Sequence, residues 1–203
     1  MVFDIGGVLE VTPGTGWHDW WAQHLSMAHL GMMSPDLTAS LDEIGRAGGI
    51  GEITLPEAEQ RIAAVLDLDQ FQLPALMEAL WAEYLGTLNL PMARYFQDLR
   101  PRYRTGILSN SFVGARERER AAYHFEDLCD IVVYSHEEGY MKPDPRIYAV
   151  VCDRLEVAAS EVLFLDDQLR CVDGARDVGM TAVQFRDNDQ ALAALKAHLA
   201  GEP

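Results

Sequence analysis

The stretch "MVFDIGGVLE" (residues 1–10) is apolar through Met1, Val2 and Phe3, stops at Asp4, and continues into Gly6 and Gly7. An apolar run that ends in an acid and then loses its side chains reads as a buried strand. It delivers a carboxylate to a turn whose backbone is open to a ligand. Only three residues precede Asp4, so a native start upstream of Met1 is expected.

Working outward, the same arrangement recurs along the second half of the chain. "TGILS" (105–109), "DIVVYS" (130–135), "EVLFL" (161–165) and "TAVQF" (181–185) are short and apolar at consecutive positions. That suits parallel strands buried on both faces. Between them, "PMARYFQDLR" (91–100), "GARERERAAYHF" (114–125), "RIYAVVCDRL" (146–155), "CVDGARDVGM" (171–180) and "QALAALKAHLA" (190–200) read as helices, the fourth ending near Gly179. Asp144 and Pro145 supply an N-cap and a first-turn proline for the third of them. The fold class is therefore α/β: a Rossmann-like parallel sheet flanked by helices. Residues 13–90 break the alternation and show no convincing strand. Trp17, Trp20, Trp21 and His24 repeat at helical spacing, Thr54 and Glu57 form a capping-box pair, and "LPALMEALWAEYL" (73–85) is apolar at helical spacing. These predict three or four helices, an inserted all-α helical cap over 13–90. The core is then residues 1–12 and 91–203.

Composition narrows the partners. Apolar residues make up 49% and charged residues 24%, as in an ordinary globular chain. Acids outnumber bases by 32 to 16, a net charge of -16. Such a surface disfavours nucleic acid and anionic membrane, and an anionic substrate has to be met by a local positive site. Cys129, Cys152 and Cys171 have no zinc-ligand spacing. Scattered thiols, no signal-like N-terminus and no membrane-length apolar run lead to an expected cytoplasmic protein, monomer or homodimer.

Polar residues gather where the strands end. Asp4 follows the first strand, Ser109 and Asn110 the second, and Asp166 with Asp167 the strand "EVLFL". Lys142 sits in the loop "SHEEGYMKPDP" (135–145) after "DIVVYS". Open parallel sheets bind ligands at this edge. The set suits phosphoryl transfer with Asp4 as nucleophile. A carboxylate about 4 Å from a phosphate dianion costs roughly 8 kcal/mol at an effective dielectric near 20. A divalent cation between Asp4 and the Asp166/Asp167 pair offsets that cost, and an oxygen-only ligand set suits Mg²⁺. Lys142 adds a point charge, Ser109 a hydroxyl donor, and Gly6 and Gly7 give backbone N–H groups access to phosphate. "RERER" (116–120) reads as a solvated helix face, and His136 as a loop residue without a role.

At these motifs the chain resembles the haloacid dehalogenase superfamily of hydrolases. "VFDIGGVL", "ILSNS", the lysine of "MKPDP" and "FLDD" are similar to its four motifs in order. The resemblance implies Mg²⁺ dependence, an aspartyl intermediate on Asp4, and phosphate stabilisation by Ser109, Asn110 and Lys142. The implied metal ligands are Asp4, Asp166, Asp167 and the backbone carbonyl of Gly6, with Asp167 binding directly and Asp166 supporting the ion or orienting Lys142. The expected activity is a phosphatase for a small phosphorylated metabolite. Most phosphatases of the superfamily carry aspartate where this chain has Gly6. Losing such a general acid costs about 10²–10⁴ in rate unless it is replaced. Glu10 or a histidine near Trp17 is the alternative acid. Two other readings stay open: a metal-independent 2-haloacid dehalogenase, against which "FLDD" argues, and a catalytically weak phosphate-binding or regulatory protein.

Overall fold

The computed structural model describes residues 1–12 and 35–200. The repeat at Trp17, Trp20, Trp21 and His24 lies outside them. In chain order, β1 (Val2–Phe3) leads through the glycine turn into β2 (Glu10–Val11). Among the described residues, three helices follow: α1 (Pro35–Gly49), α2 (Leu55–Leu66) and α3 (Gln72–Leu85). Next come β3 (Thr87–Leu88), α4 (Leu90–Leu99), β4 (Gly106–Ser109), α5 (Ala115–Tyr123) and β5 (Ile131–Tyr134). A single-turn α6 (Ser135–Glu138) precedes α7 (Pro145–Leu155). The chain closes with β6 (Leu163–Asp166), α8 (Leu169–Asp177), β7 (Thr181–Gln184) and α9 (Asn188–Ala200).

The α/β architecture expected from the strand–helix alternation is the one observed. Five strands form a single parallel sheet in the order β5-β4-β1-β6-β7, with β1 at its centre. Phe3 pairs in register with Ile107 on one side and Leu165 on the other. Successive strand residues point to opposite faces, so each strand feeds two cores. Phe3, Ile107 and Leu165 pack with Met92, Phe96 and Leu195 of the helices on one face. Val2, Leu108 and Phe164 pack with Ile147, Tyr148 and Val172 on the other. This double burial is why the strands are apolar at every position rather than alternating. The Asp144 carboxylate accepts from the Arg146 N–H, capping α7 as its sequence predicts.

Helices α1–α3 form a third apolar cluster, with Leu41, Ile44, Ile62, Leu76 and Trp81 buried together. Thr54 and Glu57 make the reciprocal capping box that starts α2. This layer is fastened to the sheet at one edge. The Ser135 hydroxyl donates to the Gly49 carbonyl at 2.6 Å, and the Val113 N–H to the Gly48 carbonyl at 3.2 Å. Gly48 is required by this contact, since a Cβ there would run into the Phe112 ring. The expectation that 13–90 contains no strand is corrected: β3 pairs antiparallel with β2, Glu10 opposite Leu88 and Val11 opposite Thr87. Two-residue strands have no readable period, and this ribbon exists only because the two ends of the insert meet. Among the described residues, no helix is long and apolar enough to cross a membrane.

Candidate active site

Three adjacent central strands, β4, β1 and β6, bring Ser109, Asp4 and Asp166 to one edge of the sheet. Asp4 extends the pairing by one residue, its N–H donating to the Leu165 carbonyl at 2.9 Å. The Lys142 loop reaches the same point from beyond β5. Its ammonium group lies 2.8 Å from Asp4 Oδ1 and 2.7 Å from Asp166 Oδ2, and donates to the Leu108 carbonyl at 2.9 Å. Lys142 is 1% exposed and Asp166 fully buried. A lysine this deep stays charged only because it is paired, and its two carboxylate partners hold its pKa above the ordinary lysine value against the opposing pull of burial.

The lysine is held from both ends. Asn110 Oδ1 accepts from the Lys142 N–H at 2.7 Å and its Nδ2 donates to the Lys142 carbonyl at 2.9 Å. The Asn110 amide thus clamps the lysine loop while the residue also lines the adjoining cavity. The two acids of "FLDD" differ. Asp166 is used up, with Oδ2 on Lys142 and Oδ1 accepting from the Gln168 N–H at 2.8 Å. Asp167 keeps a buried Oδ1 with no partner. Burial, followed by the nearby Asp166 charge, pushes Asp167 above the ordinary carboxylate range. Burial pushes Asp4 above the ordinary carboxylate range, Lys142 pulling the other way.

One oxygen from each of Asp4, Asp166 and Asp167 lies within 4.8 Å of the others. Asp4 and Asp167, the latter with a buried free oxygen, supply hard oxygen donors that fit a divalent cation such as Mg²⁺, with Asp166 beside them. Gly7 shapes this corner: its φ is +75°, and a Cβ there would sit 2.6 Å from Asp167 Cγ. Gly6 is open, and a Cβ added to it would meet nothing within 4 Å.

A cavity of about 340 Å³ adjoins the cluster. Gly6, Ser109 and Asn110 line the side at the sheet edge, while Glu10, Glu83, Tyr84 and Glu119 line it from the ribbon, α3 and α5. The Tyr134 hydroxyl donates to Glu119 Oε2 at 2.5 Å. Burial raises Glu119 to about 7, and burial with the Glu119 charge raises Glu10 to about 9. The sequence reading of "RERER" as a solvated face is corrected at Glu119, which is 1% exposed. The available signal was its place four residues after Ala115, on the same side of the helix as that buried residue. His136 is likewise in α6 rather than a loop, and its Nδ1 lies 2.7 Å from the Ser111 hydroxyl.

The family described as haloacid dehalogenase-like hydrolase matches residues 1–179. A phosphatase of Mycobacterium tuberculosis is 42% identical over 82 residues, covering 39% of this chain and 37% of the relative. (S)-2-haloacid dehalogenase 1 of a Pseudomonas species is 35% identical over 108 residues, 52% of this chain and 43% of the relative. The chain spans between a fifth and about half of the length of the curated relatives it matches. Among solved structures, a HAD family enzyme of Bacteroides thetaiotaomicron, in complex with magnesium and inorganic phosphate, superposes with a TM-score of 0.75. That match is at 20% identity and covers 94% of this chain and 96% of that one.

Proposed function

The chain belongs to the haloacid dehalogenase-like hydrolase family, and on that premise we propose that it is a Mg²⁺-dependent phosphatase of a small phosphorylated metabolite. The observation that carries this reading is the buried Asp4–Lys142–Asp166 network beside the unpartnered oxygen of Asp167. A metal-independent dehalogenase has no use for a second acid with a free oxygen at this place.

Asp4 attacks phosphorus, the bond to the leaving oxygen breaks, and a phosphoryl group is left on the Asp4 carboxylate. Water then attacks phosphorus, releasing inorganic phosphate and regenerating Asp4. Lys142 and the Ser109 hydroxyl stabilise charge on the transferring oxygens, and Gly6 and Gly7 leave backbone N–H groups accessible to them. Asp4, Asp167 and the Gly6 carbonyl would hold Mg²⁺, which when bound supplies charge neutralisation between nucleophile and phosphate. Asp166 orients Lys142 rather than binding the ion, since both of its oxygens have partners. Helices α1–α3 are read as the cap that selects the substrate, over a core of 1–12 and 91–203. Unpaired Cys129, Cys152 and Cys171 support a cytoplasmic setting.

The test is hydrolysis of a panel of phosphate esters and of 2-chloropropionate, each with and without Mg²⁺. Phosphate release that needs Mg²⁺, abolished by about 10³-fold or more in Asp4→Asn at unchanged folding, is the expected result. Halide release without metal sinks the phosphatase reading in favour of the dehalogenase, which the relative at 35% identity keeps in view.

A further inference from the structure

The cavity beside Asp4 has two walls of different chemistry. The sheet-edge wall carries Gly6 and Ser109, assigned above to the phosphoryl group. The facing wall carries three carboxyls, Glu10, Glu83 and Glu119, and the Tyr84 hydroxyl. Glu10 and Glu119 are 2% and 1% exposed. Each keeps one buried oxygen with no hydrogen-bond partner within normal geometry, and so does Glu83. Tyr84 lies close enough to Glu119 to offer it one proton, which still leaves the acceptors in excess. Among the described residues, no lysine, arginine or histidine lines this cavity. Residues 13–34 contain no lysine or arginine, and their histidines are His18, His24 and His29. The cations closest in sequence to Glu119 are engaged elsewhere: Arg118 over the Trp81 ring, Arg120 with Glu126, and Arg116 with Glu126 and Glu137.

Buried carboxyls that ionise beside a phosphate site repel the substrate's own charge unless something compensates them, and without that compensation they stay protonated. We infer that this wall is the leaving-group subsite of the phosphatase proposed above, and that it takes a phosphate ester whose leaving group carries a protonated amine. The inference rests on that reading of Asp4. An ammonium group offers three N–H donors, and the acceptor oxygens here outnumber the donors that face them. It also brings the positive charge that the wall lacks. A neutral polyol brings donors without charge, and a second phosphate or a carboxylate adds repulsion. The raised pKa values of Glu119 and Glu10 have burial as their largest cause, with neighbouring acids adding to it. A bound ammonium offsets the repulsion directly. The amine takes no part in bond making. The P–O bond breaks, the leaving oxygen gains a proton from water, and the amine departs still protonated.

The experiment compares kcat/KM with Mg²⁺ for four esters of equal chain length: aminoalkyl, hydroxyalkyl, alkyl and carboxyalkyl phosphate. p-Nitrophenyl phosphate serves as a reference for the chemistry alone. The aminoalkyl ester should exceed the hydroxyalkyl ester by at least about 10-fold, and the carboxyalkyl ester should be slowest. Glu119→Gln and, separately, Glu83→Gln should each reduce the amino-to-hydroxy ratio by about 5-fold or more. A ratio measured within one variant cancels any loss of folded enzyme. A ratio near one in the natural protein, or one unchanged in both variants, overturns the subsite while leaving the phosphatase standing. No Mg²⁺-dependent turnover of any ester, p-nitrophenyl phosphate included, overturns the phosphatase reading and this subsite with it.

Discussion

Gly6 is the residue at which this chain departs from the phosphatases it resembles, and the local geometry leaves room to reverse the departure. A Cβ at this position meets nothing within 4 Å, and its φ lies outside the left-handed region that Gly7 occupies. Gly6→Asp should therefore fold normally. It should restore a proton donor and raise kcat/KM for alkyl esters, whose leaving groups need a proton, by about 10–100-fold. Aryl esters with acidic phenols should gain little. The measurement is log kcat/KM against leaving-group pKa, which should be steep in the natural protein and flatter in the variant. A flat line in the natural protein, with chemistry rate-limiting, means that a group such as the buried Glu10 already acts as the acid. At Gly7 the same change fails, because the new side chain would collide with Asp167.

Between elements, the Lys142 loop is the part whose position matters most and whose own structure is least regular. It follows α6 and precedes α7, and it is tied to the end of β4 by two hydrogen bonds from one amide, Asn110. Removing that amide leaves a buried backbone N–H and C=O without partners, each costing about 1–3 kcal/mol. Asn110→Ala should lower kcat by roughly 10–100-fold through a displaced Lys142 ammonium, with a smaller change in the Mg²⁺ concentration for half-activity. Asn110→Asp should not rescue it, because the carboxylate cannot donate to the Lys142 carbonyl. Equal losses in kcat and in metal affinity would instead place Asn110 in the metal site.

At the scale of the whole molecule, the sheet-face core that holds Tyr134 and the cluster under α1–α3 that Tyr84 packs against meet at a buried acid. Glu119 sits at that junction, bonded to Tyr134 of the sheet. Its pKa is raised from 4.5 in the unfolded reference to about 7, with burial the largest cause. Between those values the folded state binds more protons than the unfolded chain, so stability falls as pH rises through this window. Its contribution is fully present below about pH 4.5 and lost above about pH 7. The ionised form costs on the order of 3 kcal/mol. Glu119→Gln keeps an acceptor for Tyr134 and never ionises. Relative to the natural protein, its denaturant midpoint should rise progressively from about pH 5 to about pH 8. Parallel midpoints for the two proteins over that range would remove Glu119 as a buried titrating group.

The order of apolar runs, each followed by polar residues, was enough to read the parallel sheet and to name Asp4, Ser109, Asp166 and Asp167, with Lys142 in the loop after one of them, as candidates. Strand periodicity and helix caps are local properties, written into neighbouring residues. Helix capping by Thr54 with Glu57 and by Asp144 was legible for the same reason. Tertiary structure alone decided the rest. Asp166 and Asp167 are adjacent in sequence, and only the fold gives one to Lys142 and leaves the other with a free oxygen. The ribbon between Glu10–Val11 and Thr87–Leu88 joins residues far apart in the chain, so no local signal marks it. Glu119, one charge among many in "RERER", becomes a buried acid because the helix turns that one position toward Tyr84 and Tyr134. Burial of a polar group depends on what packs over it, and that is a property of the folded chain rather than of the residue's neighbours in sequence.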